Sequence, residues 1–269
     1  MVAKAAIAHC QSIGDEVVAK TRQELDISNQ ADIFSLFERE KFDAVLNCAA
    51  FTNVDGAETN KVACLLANDA GVGNLALAAK KINSAFVTIS TDYVFDGTKG
   101  DFYTQRDSPN PQGVYAQSKF LGEKSAQNKY SRSIIVRSGW IFGEGGTNFL
   151  SVMHKLLADR KSIKVISDSY GTPTFANDLA KRLRELAELD LPAIYHVCNE
   201  GEGTTFAGFA EKICALKSFD KNLIEEVLMD SLSRPAPRPR DSRLKCLFSE
   251  KFGLSPLKNW EKALQEFLN

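Results

Sequence analysis

Ser84-Ala85-Phe86-Val87-Thr88-Ile89-Ser90-Thr91 is a near-continuous run of apolar and β-branched residues, and its reading decides the fold. A strand that is apolar on both faces must be covered on both faces, the mark of a parallel sheet between two helical layers. The same pattern recurs outward in both directions. Upstream lie the β-rich run Glu16-Val17-Val18-Ala19-Lys20-Thr21, a helical pattern over residues 31–41, a strand pattern over 42–50 and a long helical stretch over 60–81. Downstream, a helix carrying Tyr115 leads into Ser133-Ile134-Ile135-Val136-Arg137-Ser138-Gly139. Strands alternating with helices predict a doubly wound α/β fold. Ligands in such folds bind beyond the carboxyl ends of the strands, so Thr91, closing its strand, stands where a reacting group belongs.

Beyond residue 142 the alternation loosens. A helix is predicted near 148–160, a strand over 163–167, a helix over 175–189 and a strand over 193–198. The division expected is one lobe over residues 1–141 and a smaller lobe over 142–269 interleaved with it, helix 175–189 packing on the first sheet. The tail Ser233-Arg234-Pro235-Ala236-Pro237-Arg238-Pro239-Arg240-Asp241-Ser242-Arg243 reads as a loop, because its prolines forbid both helix and central strand. With 269 residues, a net charge of -1 and a pI near 6.3, the chain has no global basic field, so neither nucleic acid nor an anionic membrane is expected as partner. Six cysteines without a CxxC pair suit a reduced, cytoplasmic compartment. No apolar run looks long enough to span a bilayer. His9, His154 and His196 show no metal-ligand spacing, and no metal is expected.

Chemistry concentrates in Tyr115-Ala116-Gln117-Ser118-Lys119. On a helix, side chains at i and i+4 share a face, so the Lys119 ammonium can favour ionisation of the Tyr115 phenol and make it a usable proton donor. Such a pair arises by chance easily; Thr91, 24 residues upstream at a strand end, gives it weight. A hydroxyl, a phenol and an ammonium around one carbonyl suit ketone reduction or alcohol oxidation.

Around these residues the chain resembles the extended short-chain dehydrogenase/reductases, and among them the dTDP-4-dehydrorhamnose reductase family. The stretches that carry the resemblance include Asn47-Cys48-Ala49-Ala50-Phe51-Thr52-Asn53-Val54-Asp55, residues 90–97, Val114-Tyr115 to Lys119 with Gly122-Glu123-Lys124, Arg137-Ser138-Gly139-Trp140, Tyr170-Gly171-Thr172-Pro173-Thr174 and residues 238–244. The resemblance implies a Rossmann-like nucleotide-binding lobe and reduction of the C4 ketone of a dTDP-linked 4-keto-6-deoxy sugar by NADPH, with NADH as the alternative. It gives Tyr115 the proton donation, Lys119 the lowering of the Tyr115 pKa and a bond to the nicotinamide ribose, and Thr91 the orientation of the carbonyl. Ala49, Ala50, Phe51, Thr52 and Ile89 then face the cofactor, and Asp26 and Ile27 its adenine side. Lys20, Thr21 and Arg22 would meet a ribose 2'-phosphate. Asp92, Trp140, Arg238, Arg240 and Arg243 would meet the sugar nucleotide, Arg234 joining the arginines at its diphosphate. Read without the resemblance, Asp26 and Ser28 are helix-capping residues and the arginines a solvated linker.

That family opens with a strand and a GxxGxxG-like turn, whereas this chain begins at what reads as the first helix, with Ala3 near the last small residue of the motif. About ten residues are then lacking ahead of Met1, judged from an ordinary strand plus its turn. An incomplete sequence of a normal enzyme is the expectation; a variant with weakened nucleotide binding is the alternative. Two other functions on this architecture stay open: a non-catalytic regulatory protein similar to the regulatory β subunit of methionine adenosyltransferase, and a sugar-nucleotide epimerase or dehydratase. A homodimer fits any of them.

Overall fold

The computed structural model describes residues 1–269, and the apolar runs of the sequence become its central strands. In chain order come α1 (Val2–Ser12), α2 (Gln30–Arg39), β1 (Ala44–Asn47), α3 (Val54–Thr59), α4 (Lys61–Leu65), a π-helical turn (Leu66–Ala70), α5 (Gly71–Ile82), β2 (Ala85–Thr91) and a 3-10 turn (Asp92–Val94). Then follow α6 (Gly113–Lys129), β3 (Ser133–Ser138), β4 (Ile141–Phe142), α7 (Phe149–Ala158), β5 (Ile163–Ile166), β6 (Tyr170–Gly171), β7 (Thr174–Phe175) and α8 (Ala176–Leu189). The chain closes through β8 (Ile194–His196), β9 (Thr204–Thr205), α9 (Phe206–Lys217), β10 (Ile224–Val227) and α10 (Trp260–Leu268).

The main sheet is parallel in the order β1-β2-β3-β8. One face packs Phe86 and Ile135 against Ile33, Leu36, Val72 and Leu75 of α2 and α5. The other packs Val87, Ile134 and Val136 against Leu179, Leu183 and Leu186 of α8. Burial on both faces is what the unbroken apolar strands require, and the fold is doubly wound as expected. Outside α8 lies α1, fastened by an ion pair from Arg184 Nε to Asp15 at 3.0 Å. A further core of Phe142, Met153, Leu157, Val165, Phe209, Ile213 and Leu264 gathers α7, β5, α9 and α10.

Two expectations are corrected. Residues 16–21 form no strand. A strand exists through its ladder, and the outer side of β1 carries no partner strand, so this run has nothing to pair with and ends in a turn in which Thr21 N donates to Glu24 Oε2 at 2.8 Å. Residues 61–82 are also apolar enough to matter: α4, the π turn and α5 run on as one 22-residue helix containing an 18-residue window with a mean hydropathy of 1.4, long enough by length and composition to cross a bilayer. Here its apolar face, Val72, Leu75, Ala76 and Ala79, is core against α2 and the sheet.

Helix α6 is fixed on the end of β2 by polar contacts from successive strand residues. Lys119 Nζ donates to the Ile89 carbonyl at 2.7 Å, and Ser90 Oγ donates to Glu123 Oε1 at 2.5 Å. Glu123 also accepts Arg137 Nε at 2.9 Å and Nη2 at 2.7 Å, a bidentate pair with both side chains nearly inaccessible. On its outer side α6 meets the π turn, where Gly122 lies so close to Asn68 that any Cβ would overlap the Asn68 carbonyl oxygen. The extra residue of a π turn displaces that carbonyl from regular α spacing, and glycine opposite it makes the contact possible.

Two substitutions test this docking. Gly122→Ala forces α6 off the π turn and is expected to cost about 1–3 kcal/mol, read as a lower urea midpoint. Glu123→Gln leaves the Arg137 guanidinium buried without its counter-charge and is expected to cost about 3–5 kcal/mol by the same measurement. A midpoint shift under about 0.5 kcal/mol in either variant contradicts the assigned contact.

Candidate active site

The docking of α6 brings its chemistry to the carboxyl end of β2. Tyr115, one turn before Lys119, comes within the influence of the Thr91 hydroxyl and meets Tyr93 edge-on, their ring centroids 6.0 Å apart. Thr91 is the last residue of β2, where the strand pattern placed it. Burial pushes the Tyr115 phenol above the ordinary tyrosine value, and the main influence opposing the rise is Thr91, not Lys119. The expected lowering of the phenol by Lys119 is therefore absent: the ammonium is turned to the Ile89 carbonyl. Burial in turn lowers Lys119 to about 8, against the pull of Glu123 one turn along.

Asp92 lies directly behind Thr91. Its Oδ1 accepts from Thr91 Oγ1 at 3.1 Å, and its Oδ2 accepts from Ser242 Oγ at 2.5 Å. Burial pushes this carboxyl up to about 6, with the Ser242 and Thr91 bonds acting the other way. A side chain on Gly139 would collide with the carboxyl. The next residue, Trp140, takes a left-handed backbone (φ 49), an uncommon and strained conformation for a bulky residue. Its indole stacks on Phe206 at 4.0 Å and fills the space a side chain on Gly171 would need.

The segment after β1 is fixed by residues that the sequence did not mark. Asn47 Oδ1 accepts Ala49 N at 3.0 Å. Asn68 Oδ1 accepts Phe51 N at 2.8 Å, while its Nδ2 donates to Phe51 O and to Ser118 Oγ, each at 3.0 Å. Thus the π turn ties Phe51 to α6 between Tyr115 and Lys119, and Ala49 and Thr52 on either side of that tie stay exposed. Ile27 packs on Gly71, and its carbonyl accepts Asn74 Nδ2 at 3.1 Å. Asp26 closes a turn by accepting Ser28 N at 2.9 Å. Neither Asp26 nor Ser28 caps α2; that part falls to Asn29, whose Oδ1 accepts Ala31 N at 3.1 Å.

The arginines of the tail separate. Arg234 and Arg238 line a narrow cavity of about 60 Å³ together with Tyr93, Trp140, Ile166, Phe206 and Pro239. Arg238 makes a bidentate pair with Asp55 of α3, at 3.0 and 2.8 Å, while burial and the neighbouring Arg238 both lower Arg234. Arg240 pairs with Asp168 and Asp230, and Arg243 with Asp241, away from the lining of that cavity. Arg238, Arg240 and Arg243 thus each hold a carboxylate of their own, and of the four arginines Arg234 and Arg238 border the cavity. Asn68 and Phe206 carry no local signal, and Asp55, Ser118 and Ser242, though within the resembling stretches, reveal their parts only through distant partners.

Comparison with known proteins agrees with this geometry. The whole chain, residues 1–269, matches the RmlD substrate binding domain family. It is 34% identical to the spore coat polysaccharide biosynthesis protein SpsK of Bacillus subtilis over 95% of this chain and 89% of that one. It is 35% identical to a dTDP-4-dehydrorhamnose reductase of Mycobacterium tuberculosis over 93% of this chain and 84% of that one. The crystal structure of dTDP-4-dehydrorhamnose reductase from Bacillus anthracis in complex with NADP superposes with a TM-score of 0.95 at 28% identity, covering 99% of this chain and 94% of that one. A strand end, a Tyr/Lys helix and a matching sequence over the full length lead to one conclusion: the chain is an oxidoreductase that belongs to the RmlD substrate binding domain family, alongside the dTDP-4-dehydrorhamnose reductases.

Proposed function

We propose that this chain reduces the C4 ketone of dTDP-4-dehydro-β-L-rhamnose to dTDP-L-rhamnose with NADPH, in the cytoplasmic supply of nucleotide sugar for surface polysaccharide. The observation that carries the reading is the convergence of Thr91, Tyr115 and Lys119 beside a slot walled by aromatic rings and two neighbouring arginines. Residues 1–141 serve as the nucleotide-binding lobe and residues 142–269 mainly as the substrate lobe. Trp140, Tyr93 and Phe206 offer the rings that a thymidine and a sugar pack on. Arg234 and Arg238 offer two cations to a diphosphate, which on entry displaces Asp55 from Arg238 and widens the slot. Asp92 meets the sugar from behind Thr91.

The cofactor is assigned to Asp26 and Ile27 at the adenine, to Ala49, Ala50, Phe51, Thr52 and Ile89 along its length, and to Tyr115 and Lys119 at the nicotinamide ribose. Its fit is supported by α1, whose first turn carries no acidic residue and starts near Cys48, just after β1. Free amide N–H groups at a helix start favour phosphate. Lys20 and Arg22, exposed near Asp26, favour NADPH over NADH.

NADPH, when bound, supplies the hydride. Thr91 Oγ1 orients the ketone oxygen, and the Tyr115 phenol gives its proton to that oxygen as negative charge develops there. A phenol raised by burial is fully protonated at neutral pH, so the donor is loaded, while an alkoxide is still the stronger base. The Lys119 ammonium then stabilises the phenolate left behind.

Mixing the protein with NADPH and dTDP-4-dehydro-β-L-rhamnose is expected to bleach the nicotinamide absorbance. Tyr115→Phe should slow this by about 10²–10⁴-fold while binding of both ligands persists. Binding of both ligands by the unmodified protein without any NADPH consumption refutes the proposal. A stable complex with another enzyme that survives Tyr115→Phe would instead support a regulatory protein.

A further inference from the structure

Ser242 belongs to a proline-rich loop, yet it is only 2% exposed. Its backbone is held from both sides. Tyr170 N donates to Arg240 O at 2.7 Å, Ser242 N donates to Tyr170 O at 2.9 Å, and Tyr103 N donates to Arg243 O at 2.7 Å. The flanking Asp241 and Arg243 satisfy each other's charge at 2.7 Å. A loop pinned in this way delivers one hydroxyl to one place, Asp92 Oδ2 at 2.5 Å. A carboxylate with one oxygen taken from behind keeps the other where it is, and Asp92 Oδ1 sits 3.1 Å from Thr91 Oγ1. Gly139 closes the remaining side, since a side chain there would overlap the carboxyl.

Building on the reductase reading above, we propose that Ser242 is a positioning residue, which through Asp92 fixes the Thr91 hydroxyl where the substrate carbonyl must be met. Besides Asp92, which accepts its hydrogen bond, the Thr91 hydroxyl accepts from Tyr93 N at 3.2 Å and acts on the Tyr115 phenol, the group whose alignment depends on it. Truncating Ser242 lets the Asp92 carboxyl swing about its Cβ–Cγ bond, and Thr91 then samples rotamers unsuited to the carbonyl. The tail that brings Arg238 to the slot thereby also sets the geometry of the reacting hydroxyl. Substrate contact and catalytic alignment are joined in one strap.

The groups facing Asp92 make its titration a clean reporter. From its own turn comes the Tyr93 phenol, from α6 the Tyr115 phenol and from beyond β8 the Cys198 thiol. All three are pushed upward by burial and stay neutral near pH 6, so the hydrogen bonds from Ser242 and Thr91, ahead of the backbone N–H groups of Asp92 and Tyr93, are what stabilise the charged carboxylate.

The test has two arms. In carbon-13 NMR of the protein without substrate, the Asp92 carboxyl should titrate near pH 6, higher in Ser242→Ala, and near its original midpoint in Ser242→Thr. In turnover, Ser242→Ala should lower kcat about tenfold with KM for the sugar nucleotide within about twofold, as expected for the loss of one hydrogen bond to a charged group, and Ser242→Thr should recover most of it. An unmoved midpoint, a kcat within about twofold of the unmodified protein, or an effect on KM alone overturns the proposal. If the unmodified protein consumes no NADPH, it is the reductase reading that fails, and the midpoint still decides whether Ser242 governs Asp92.

Discussion

Helix α6 rests on the end of β2 through three consecutive strand residues: the Ile89 carbonyl takes Lys119, the Ser90 hydroxyl reaches Glu123, and Thr91 acts on Tyr115. Tyr115, Lys119 and Glu123 recur every four residues, so each contact falls on the same face of the helix. Behind them the Glu123–Arg137 pair crosses to β3 and is cut off from water. A pair buried so deeply adds little net stability compared with apolar packing, but it tolerates no other register, because a slipped helix would strand a charge in the core. The reacting group and its neighbour are thereby placed by an electrostatic constraint located one turn away.

The same constraint explains why the site leans on distant parts of the chain. Asn68 in the π turn bonds Phe51 on one side and Ser118 on the other, so the loop after β1 follows α6 wherever it is set. The tail closes the opposite side through Ser242 and through Leu244, which packs with Val94, Phe95 and Tyr103 under the loop that follows β2. Segments from both halves of the chain thus meet at the end of one strand, the position that a doubly wound sheet leaves open for ligand.

What the sequence revealed follows from how far each signal reaches. Strands β2 and β3 are legible because their central residues, Phe86-Val87 and Ile134-Ile135-Val136, are apolar on both faces, and Tyr115 and Lys119 because helical spacing is local. Residues 16–21 looked like a strand from composition, yet pairing is decided by a neighbour, and β1 supplies none on that side. Capping, the alternative to a place for Asp26 at the adenine, falls to Asn29 three residues on. The four arginines of the tail look alike in sequence; in the fold Arg234 and Arg238 line the slot, and Arg238, Arg240 and Arg243 each pair with a carboxylate from a distant or neighbouring segment. The parts played by Ser242 and Asn68 have no local signal because their partners lie 150 and 50 residues away.

The Tyr115 phenol shows most plainly what folding adds. From spacing alone Lys119 should lower it, yet the folded chain raises it and turns the ammonium to a backbone carbonyl. The two descriptions belong to different moments of one reaction. A proton donor must hold its proton until negative charge appears on the substrate oxygen, and burial ensures this. In the proposed reaction a buried phenolate left by the proton would be costly, and Lys119 is the cation on the same helix face that could offset it. Burial and the i+4 lysine would then act on opposite sides of the proton transfer, and the docking of α6 on β2 places both residues at the strand end.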